Sequence, residues 1–289
     1  MTYNELWHLL TPLYGDSEAK SIARLVYEVR FGLSFSDICL GKDTQLSANS
    51  QEELKGIAER LLQEEPVQYV LGQAAFCGRT FTVNKHVLIP RPETEELCSW
   101  IESQGDRLHG QTANILDIGT GSGCIAITLA AEMPKAKTTA WDISIDALKV
   151  AEENAKRNHV HVSFEQVDIL HIPTDVLQQT AKIFDFIVSN PPYICNNERA
   201  HMESNVLNYE PHIALFVPDD DALLFYRAIA QYGKTALKEG GWLYFEINPL
   251  YANILTEMLN KMTYHHIEIK EDQFGKQRMI RAQKVKSEK

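Results

Sequence analysis

Hydrophobic positions in the first 65 residues recur at helical spacing. Leu6, Leu9, Leu10 and Leu13 form one stripe, and Ala19, Ile22, Ala23, Val26 and Val29 a second that Gly32 ends. Ser50-Gln51-Glu52-Glu53 has the spacing of a capping box, in which a hydroxyl and a carboxylate satisfy free backbone donors reciprocally. It predicts the start of a further helix that carries Leu54, Ile57, Ala58, Leu61 and Leu62 and stops at Pro66. Between Phe76 and Ile89 the period changes to two: Phe81, Val83 and Val87 alternate with polar residues, which predicts a β-hairpin turning at Asn84-Lys85. A helix is expected from Pro90-Arg91-Pro92-Glu93-Thr94-Glu95-Glu96, because proline suits a first helical turn and acids there complement the helix dipole.

The remainder alternates strand and helix. Predicted strands are Asn114–Ile118, Thr138–Trp141, Val162–Val167, Phe184–Ser189, Trp242–Ile247, Tyr264–Lys270 and Arg278–Val285, with helical patterns such as Cys124–Met133 and Ile145–Arg157 between the first five. That alternation predicts an α/β fold, a doubly wound, seven-stranded, mostly parallel sheet with helices on both faces. The last two strands are joined by a short turn at Gly275, too short for a parallel crossover, so they must be antiparallel. The expected organisation is a helical N-terminal domain over 1–75, a β-hairpin linker over 76–90 and the α/β domain over 91–289. The connection from Ile194 to Asp220 is long, and a substrate-facing lid is expected there.

Composition excludes several classes. The 289 residues are 44% hydrophobic and 23% charged, ordinary for a chain that buries a core in about two domains. No apolar run approaches the roughly 20 residues needed to cross a bilayer, and the N-terminus lacks a basic region followed by an apolar stretch, so neither a membrane span nor a secretory leader is expected. Cys39, Cys77, Cys98, Cys124 and Cys195 are scattered without a CxxC, which fits a reducing cytoplasm and disfavours disulfides or a metal cluster. A net charge of -11 argues against a chain whose task is to grip DNA or RNA backbone. The helical segment is itself acidic, with eleven Asp/Glu against six Lys/Arg through Ala75. Only the last 29 residues are basic, with eight Lys/Arg against four Asp/Glu; a solvated end is the expectation.

The chemistry sits in two motifs. Asn114 to Ile127 runs a strand into Gly119-Thr120-Gly121-Ser122-Gly123 and then a helix, so backbone can pass close to a ligand at the carboxyl end of the strand. Asp142, nineteen residues after Gly123 and at the end of the second strand, can accept the hydroxyls of a ribose. The spacing is GxGxG, not the GxGxxG of a dinucleotide site, and Asp117 stands two residues before the first glycine. That carboxylate repels a pyrophosphate and suits the ammonium group of S-adenosylmethionine. The second motif, Asn190-Pro191-Pro192-Tyr193, ends the fourth strand beside that cofactor. An amino group conjugated to a carbonyl is a poor nucleophile; the Asn190 side-chain oxygen and Pro191 carbonyl can accept its two N–H bonds, and Tyr193 offers a face for a planar group. Positioning then does most of the work, with no metal required.

Together GxGxG and NPPY resemble the class I methyltransferases that modify planar amino nitrogens. Further strings resemble the N(5)-glutamine methyltransferases of peptide chain release factors, the PrmC/HemK family: Pro66-Val67-Gln68-Tyr69 with Gly72, Val87 to Glu95, Tyr209-Glu210-Pro211 with Ala214-Leu215, and Gly240-Gly241 through Glu246-Ile247. The resemblance runs from about Pro66 to Arg278, and a small helical N-terminal domain, with release factor recognition as its role, is also what that family has. It implies methyl transfer from S-adenosyl-L-methionine, leaving S-adenosyl-L-homocysteine, to the glutamine of the Gly-Gly-Gln motif of class I release factors by a cytoplasmic monomer. Asp117, Gly119 to Gly123 and Asp142 would hold the cofactor, with Asp168 or Ile169 near the adenine and Asn190 close to the methyl donor. Asn190, Pro191, Pro192 and Tyr193 would hold the substrate, and Arg91–Glu95 would border the site from the other side. This chain departs from the family pattern at Ala75, at Ile169 and at Asn248, where the family has glycine. The competing expectation is a DNA or rRNA methyltransferase acting on an exocyclic amine of adenine or guanine, which uses a similar Pro-Pro-aromatic motif but usually a basic surface.

Overall fold

The computed structural model describes residues 1–105, 112–180 and 182–285, and the end of the basic tail, 286–289, lies outside them. The chain forms two compact units, Met1–Gln73 with Met202–Tyr209, and Ala74–His201 with Glu210–Lys289. The hairpin expected as a separate linker therefore belongs to the second unit, and the first recruits a stretch of the long connection.

In the first unit the two N-terminal stripes lie on one helix, Tyr3–Phe31, broken at Gly15 by a positive φ of 70° and ended by Gly32 in the left-handed region. Thr2 and Glu5 form its capping box. Leu6, Leu10, Ala19, Ile22, Ala23 and Val26 are buried, whereas Leu9 and Leu13 are 41% and 47% exposed, so the apolar face is narrower than the spacing predicts. The next long helix, Ala48–Leu62, starts earlier than expected: Ser47, not Ser50, is the N-cap and accepts from the Ser50 amide. Leu54, Ile57, Ala58 and Leu61 complete the core. The helix Ser204–Tyr209 is tied to it by the Tyr209 hydroxyl, which donates to the Gln63 carbonyl at 2.6 Å.

The second unit opens with a hairpin of β1 (Gln73–Phe76) and β2 (Arg79–Thr82). It turns at Cys77-Gly78 and not at Asn84-Lys85. Both turn residues have positive φ, 46° and 69°, as a two-residue turn matched to strand twist requires. Asn84 instead folds back on itself, its side chain accepting from the His86 amide at 2.9 Å. The main sheet contains β3 (Asn114–Ile118), β4 (Lys137–Asp142), β5 (Ser163–Gln166) and β6 (Phe184–Ser189). A small parallel pair, β7 (Ile194–Cys195) and β8 (Phe216–Val217), stands apart, and β9 (Leu237–Glu246), β10 (Tyr264–Glu271) and β11 (Gln277–Lys284) complete the large sheet. Its order is β10-β11-β9-β6-β3-β4-β5, with β11 antiparallel to both neighbours and the other pairs parallel. The seven-stranded, doubly wound expectation thus agrees with the fold, including the antiparallel final pair.

Successive strand residues point to opposite faces, and both faces are buried. Leu116, Ile187, Leu243 and Phe245 pack beneath the helices Leu224–Ala236 and Ala252–Lys261. Ile115, Phe186, Val188 and Tyr244 pack beneath Pro92–Gly105 and Cys124–Glu132. One polar residue ties the edges of this arrangement. Asn154, fully buried on the helix Ile145–Arg157, accepts from the Thr82 amide at 2.6 Å and donates to the Thr82 and Ser122 carbonyls at 2.9 Å each. Among the described residues no helix is long and apolar enough to cross a membrane. Asn154→Ala leaves those backbone groups unpaired, which costs about 3 kcal/mol; urea unfolding should show a lower midpoint, and an unchanged midpoint would contradict this role.

Candidate active site

The strand order reverses at β3 and β6, and open α/β sheets form a crevice at the carboxyl ends of such a pair. The second unit has a cleft of about 350 Å³ there, lined by Gly119, Thr120, Gly121, Ser122, Asp142, Asp168, Ile169, Asn190, Pro191 and Pro192, and on its other side by Arg91 and Thr94. Of the residues expected to hold cofactor or substrate, Asp117, Gly123 and Tyr193 are not on its wall.

The glycine turn is bolted to β4. The Gly119 and Thr120 amides donate to the Trp141 carbonyl at 2.8 and 2.9 Å, and the Gly121 amide to Asp142 Oδ2 at 2.9 Å. Asp142 Oδ1 accepts from the Ser144 amide at 2.8 Å, so each carboxylate oxygen is oriented by one backbone donor while the side chain still borders the cleft. Burial pushes the Asp142 carboxyl up, against the pull of those amides. Gly123, at φ 81°, serves packing: a Cβ there would lie 2.8 Å from Ile127 Cδ1 and 3.1 Å from Ala151 Cβ. Asp168 accepts from the Leu170 amide at 2.9 Å and meets His171 Nδ1 at 2.8 Å. Burial opposes its charge, yet these contacts hold its carboxyl below the usual range.

Asp117 lies fully buried behind the turn, where its Oδ2 accepts from the Thr120 hydroxyl at 2.6 Å. From there it holds the turn itself. Burial pushes its carboxyl up to about 7.

At the end of β6 the polar groups converge on Glu246, the last residue of β9, which is 2% exposed. The Thr94 hydroxyl donates to its Oε2 at 2.6 Å and the Tyr193 hydroxyl to its Oε1 at 3.0 Å. Asn190 Nδ2 in turn donates to Thr94 Oγ1 at 3.3 Å. Burial raises the Glu246 carboxyl, opposed by the two hydroxyl donors and the charge of Arg278. Tyr193 thus gives its hydroxyl to Glu246, with its partly buried ring packed against the core. Asn248 steadies the same loop by donating to the Tyr193 carbonyl at 3.3 Å and to Glu198.

On the opposite wall, the carboxylate of Glu210, buried, accepts from the Ile89 amide at 3.2 Å and pairs with the Arg91 guanidinium. Glu95 turns away and accepts from the Cys77 amide at 2.9 Å. Thr94, Glu210 and Glu246 have no catalytic spacing to reveal them in the sequence; their one signal is that each sits in a string that carries the family resemblance. Among the described residues no group of three or more His, Cys, Asp or Glu is placed to hold a metal.

The Asp117 shift makes stability pH-dependent. Because its folded value lies above the ordinary 3.8, the folded chain keeps a proton that the unfolded chain releases, so this stabilisation is full below about pH 4 and lost as pH rises through about 7. Asp117→Asn, which keeps an acceptor for Thr120, should match the wild type in urea at pH 4 and exceed it at pH 8; equal midpoints at pH 8 would contradict the shift.

Comparison with known proteins places the chain in a family. Residues 9–72 match the family described as PrmC N-terminal domain and residues 97–208 that described as Methyltransferase small domain. A release factor glutamine methyltransferase of Bacteroides thetaiotaomicron is 45% identical over 94% of this chain and 95% of its own length. One from Flavobacterium psychrophilum is 41% identical over 94% of each chain. Among solved structures, the N-terminal domain of human METTL16 in complex with SAH superposes with a TM-score of 0.52 at 18% identity, over 72% of this chain and 76% of that one. A methyltransferase from Pyrococcus furiosus gives 0.51 at 17% identity, over 83% of this chain and 100% of its own. Those two support the fold alone. The near-full-length relatives carry more: the chain belongs to the release factor glutamine methyltransferase family.

Proposed function

We propose that this protein transfers the methyl group of S-adenosyl-L-methionine to the side-chain amide nitrogen of the glutamine in the Gly-Gly-Gln motif of class I peptide chain release factors. The observation that carries this is the convergence of Asn190 and Pro191 with the glycine turn and Asp142 on one cleft.

The residues present fit the cofactor. Asp142, with one lone pair of each oxygen engaged by backbone, retains capacity for a ribose diol. Asp168 and Ile169 border the cleft where an adenine would lie, and Gly119 to Ser122 allow close backbone approach. Asp117 acts from behind the turn, holding Thr120 and with it the shape of the glycine turn. When bound, the cofactor supplies a methyl group on a positively charged sulfur.

The chain's own work is positioning. Asn190 Oδ1 and the Pro191 carbonyl accept the two N–H bonds of the substrate carboxamide and aim its nitrogen. As the N–C bond forms and the C–S bond breaks, the nitrogen sheds one proton to water, so no covalent intermediate with the protein is needed. The helical segment over 1–75 is proposed to recognise the release factor, acting in the cytoplasm. A nucleic-acid substrate is disfavoured by the net charge of -11.

Two substitutions separate the halves of the site. Asn190→Ala should lower kcat by at least about 100-fold, as loss of a transition-state hydrogen bond does, with cofactor affinity little changed; methyl transfer to intact release factor and calorimetry read the two, and near wild-type turnover would contradict the assignment. Asp142→Ala should weaken cofactor binding roughly 10- to 100-fold, from the loss of charge-assisted hydrogen bonds; an unchanged affinity would place the ribose elsewhere. Methyl label appearing in DNA or RNA and not in release factor would overturn the proposal as a whole.

A further inference from the structure

Glu246 does not line the cleft, yet its hydrogen bonds constrain a residue that does. An ionised carboxylate can only accept hydrogen bonds. Thr94 has a single hydroxyl proton, and at 2.6 Å that proton is committed to Glu246 Oε2. Toward Asn190 the Thr94 oxygen can then only accept, so the Asn190 carboxamide must present its NH2 to Thr94, as it does at 3.3 Å. This order of donors follows from proton counting along the chain Glu246, Thr94, Asn190. Tyr193 supports it from the other side, since its hydroxyl donates to Glu246 Oε1 and leaves that oxygen no need of the Thr94 proton. With Nδ2 engaged, the Asn190 group left for the cleft is Oδ1.

We propose that Glu246, through the Thr94 hydroxyl, fixes which way round the Asn190 carboxamide is held, and that this relay makes the site select a carboxamide side chain over an isosteric carboxylate. The inference rests on the reading that Asn190 receives the substrate glutamine. A glutamine offers N–H bonds to Asn190 Oδ1. A glutamate in its place would set oxygen against oxygen with no proton between them, and sites built to hydrogen-bond an N–H reject the analogue that lacks it. Were Asn190 free to turn over, its NH2 would face the cleft and the carboxylate would become the better ligand. Glu246 and Thr94 are positioning residues in this scheme, since they act through Asn190.

The test uses the full-length enzyme, intact release factor, and the same factor with glutamate in place of the Gly-Gly-Gln glutamine as a competitive inhibitor. For the wild type, the ratio of the inhibitor's Ki to the substrate's KM should be large. Thr94→Val keeps the side-chain shape and removes the relay oxygen; it should lower kcat at least about 10-fold and shrink that ratio at least about 10-fold, with cofactor affinity unchanged. Because it strips the buried Glu246 of a donor, it should also lower the melting temperature, so kcat and the ratio are measured well below the unfolding transition. Thr94→Ser, which restores the hydroxyl, should restore both. Thr94→Ala removes the same oxygen and should shrink the ratio as the valine does. A Thr94 variant that is slow but retains the wild-type ratio would overturn the relay while leaving the methylation reading intact. A wild type that methylates no release factor would instead overturn the reading itself.

Discussion

A carboxylate buried at the end of β9 must find donors inside the protein, because leaving it bare would cost far more than the fold can absorb. Glu246 finds them in Thr94 and Tyr193, from the start of the helix Pro92–Gly105 and the loop after β6. Three segments distant in sequence are thereby gathered at one point beside the cleft. The demand of this one charge sets the position of the Asn190-Pro191-Pro192-Tyr193 loop and the orientation of its first side chain. A neutral residue at 246 could fill the same volume without imposing that order.

The cofactor half of the site follows a parallel logic with backbone donors in place of hydroxyls. Asp142 ends β4 with both oxygens engaged by amides, one from the glycine turn and one from the start of the helix Ile145–Arg157. Its carboxylate is therefore held before any ligand arrives, which lowers the ordering cost of binding. Asn154 secures the same turn from below through the Ser122 carbonyl and connects it to the hairpin that opens the second unit. Rigid elements thus support the turn on both sides, while the cleft stays open between them.

Much of this was legible in the sequence, and the remainder was not for identifiable reasons. The central strands announce themselves because both faces are buried, so Asn114–Ile118 and Phe184–Ser189 appear as apolar runs with the structure's own boundaries. The antiparallel last pair follows from the short turn alone. By contrast, the hairpin turn is not where local chemistry suggests: Asn84 has strong turn chemistry, but Cys77-Gly78 supplies the two positive φ values that pairing needs. Leu9 and Leu13 show that helical spacing marks a face but not its width. An aromatic beside two prolines suggests a substrate platform at Tyr193, and the sequence gives no sign of its hydroxyl partner, which lies 53 residues away. The relay itself joins residues 96 and 152 positions apart, and no local pattern encodes such a pairing.

The chemistry depends on which end of the Asn190 carboxamide faces the reacting nitrogen. The most direct measurement is a crystal structure of the enzyme with S-adenosyl-L-homocysteine and a glutamine-bearing peptide, at a resolution where amide oxygen and nitrogen are distinguished. The predicted result is Asn190 Oδ1 within about 3 Å of the glutamine nitrogen, with Nδ2 on Thr94 and the Thr94 proton on Glu246. An Asn190 that turns its NH2 to the substrate, or a glutamine bound away from Asn190, would contradict it.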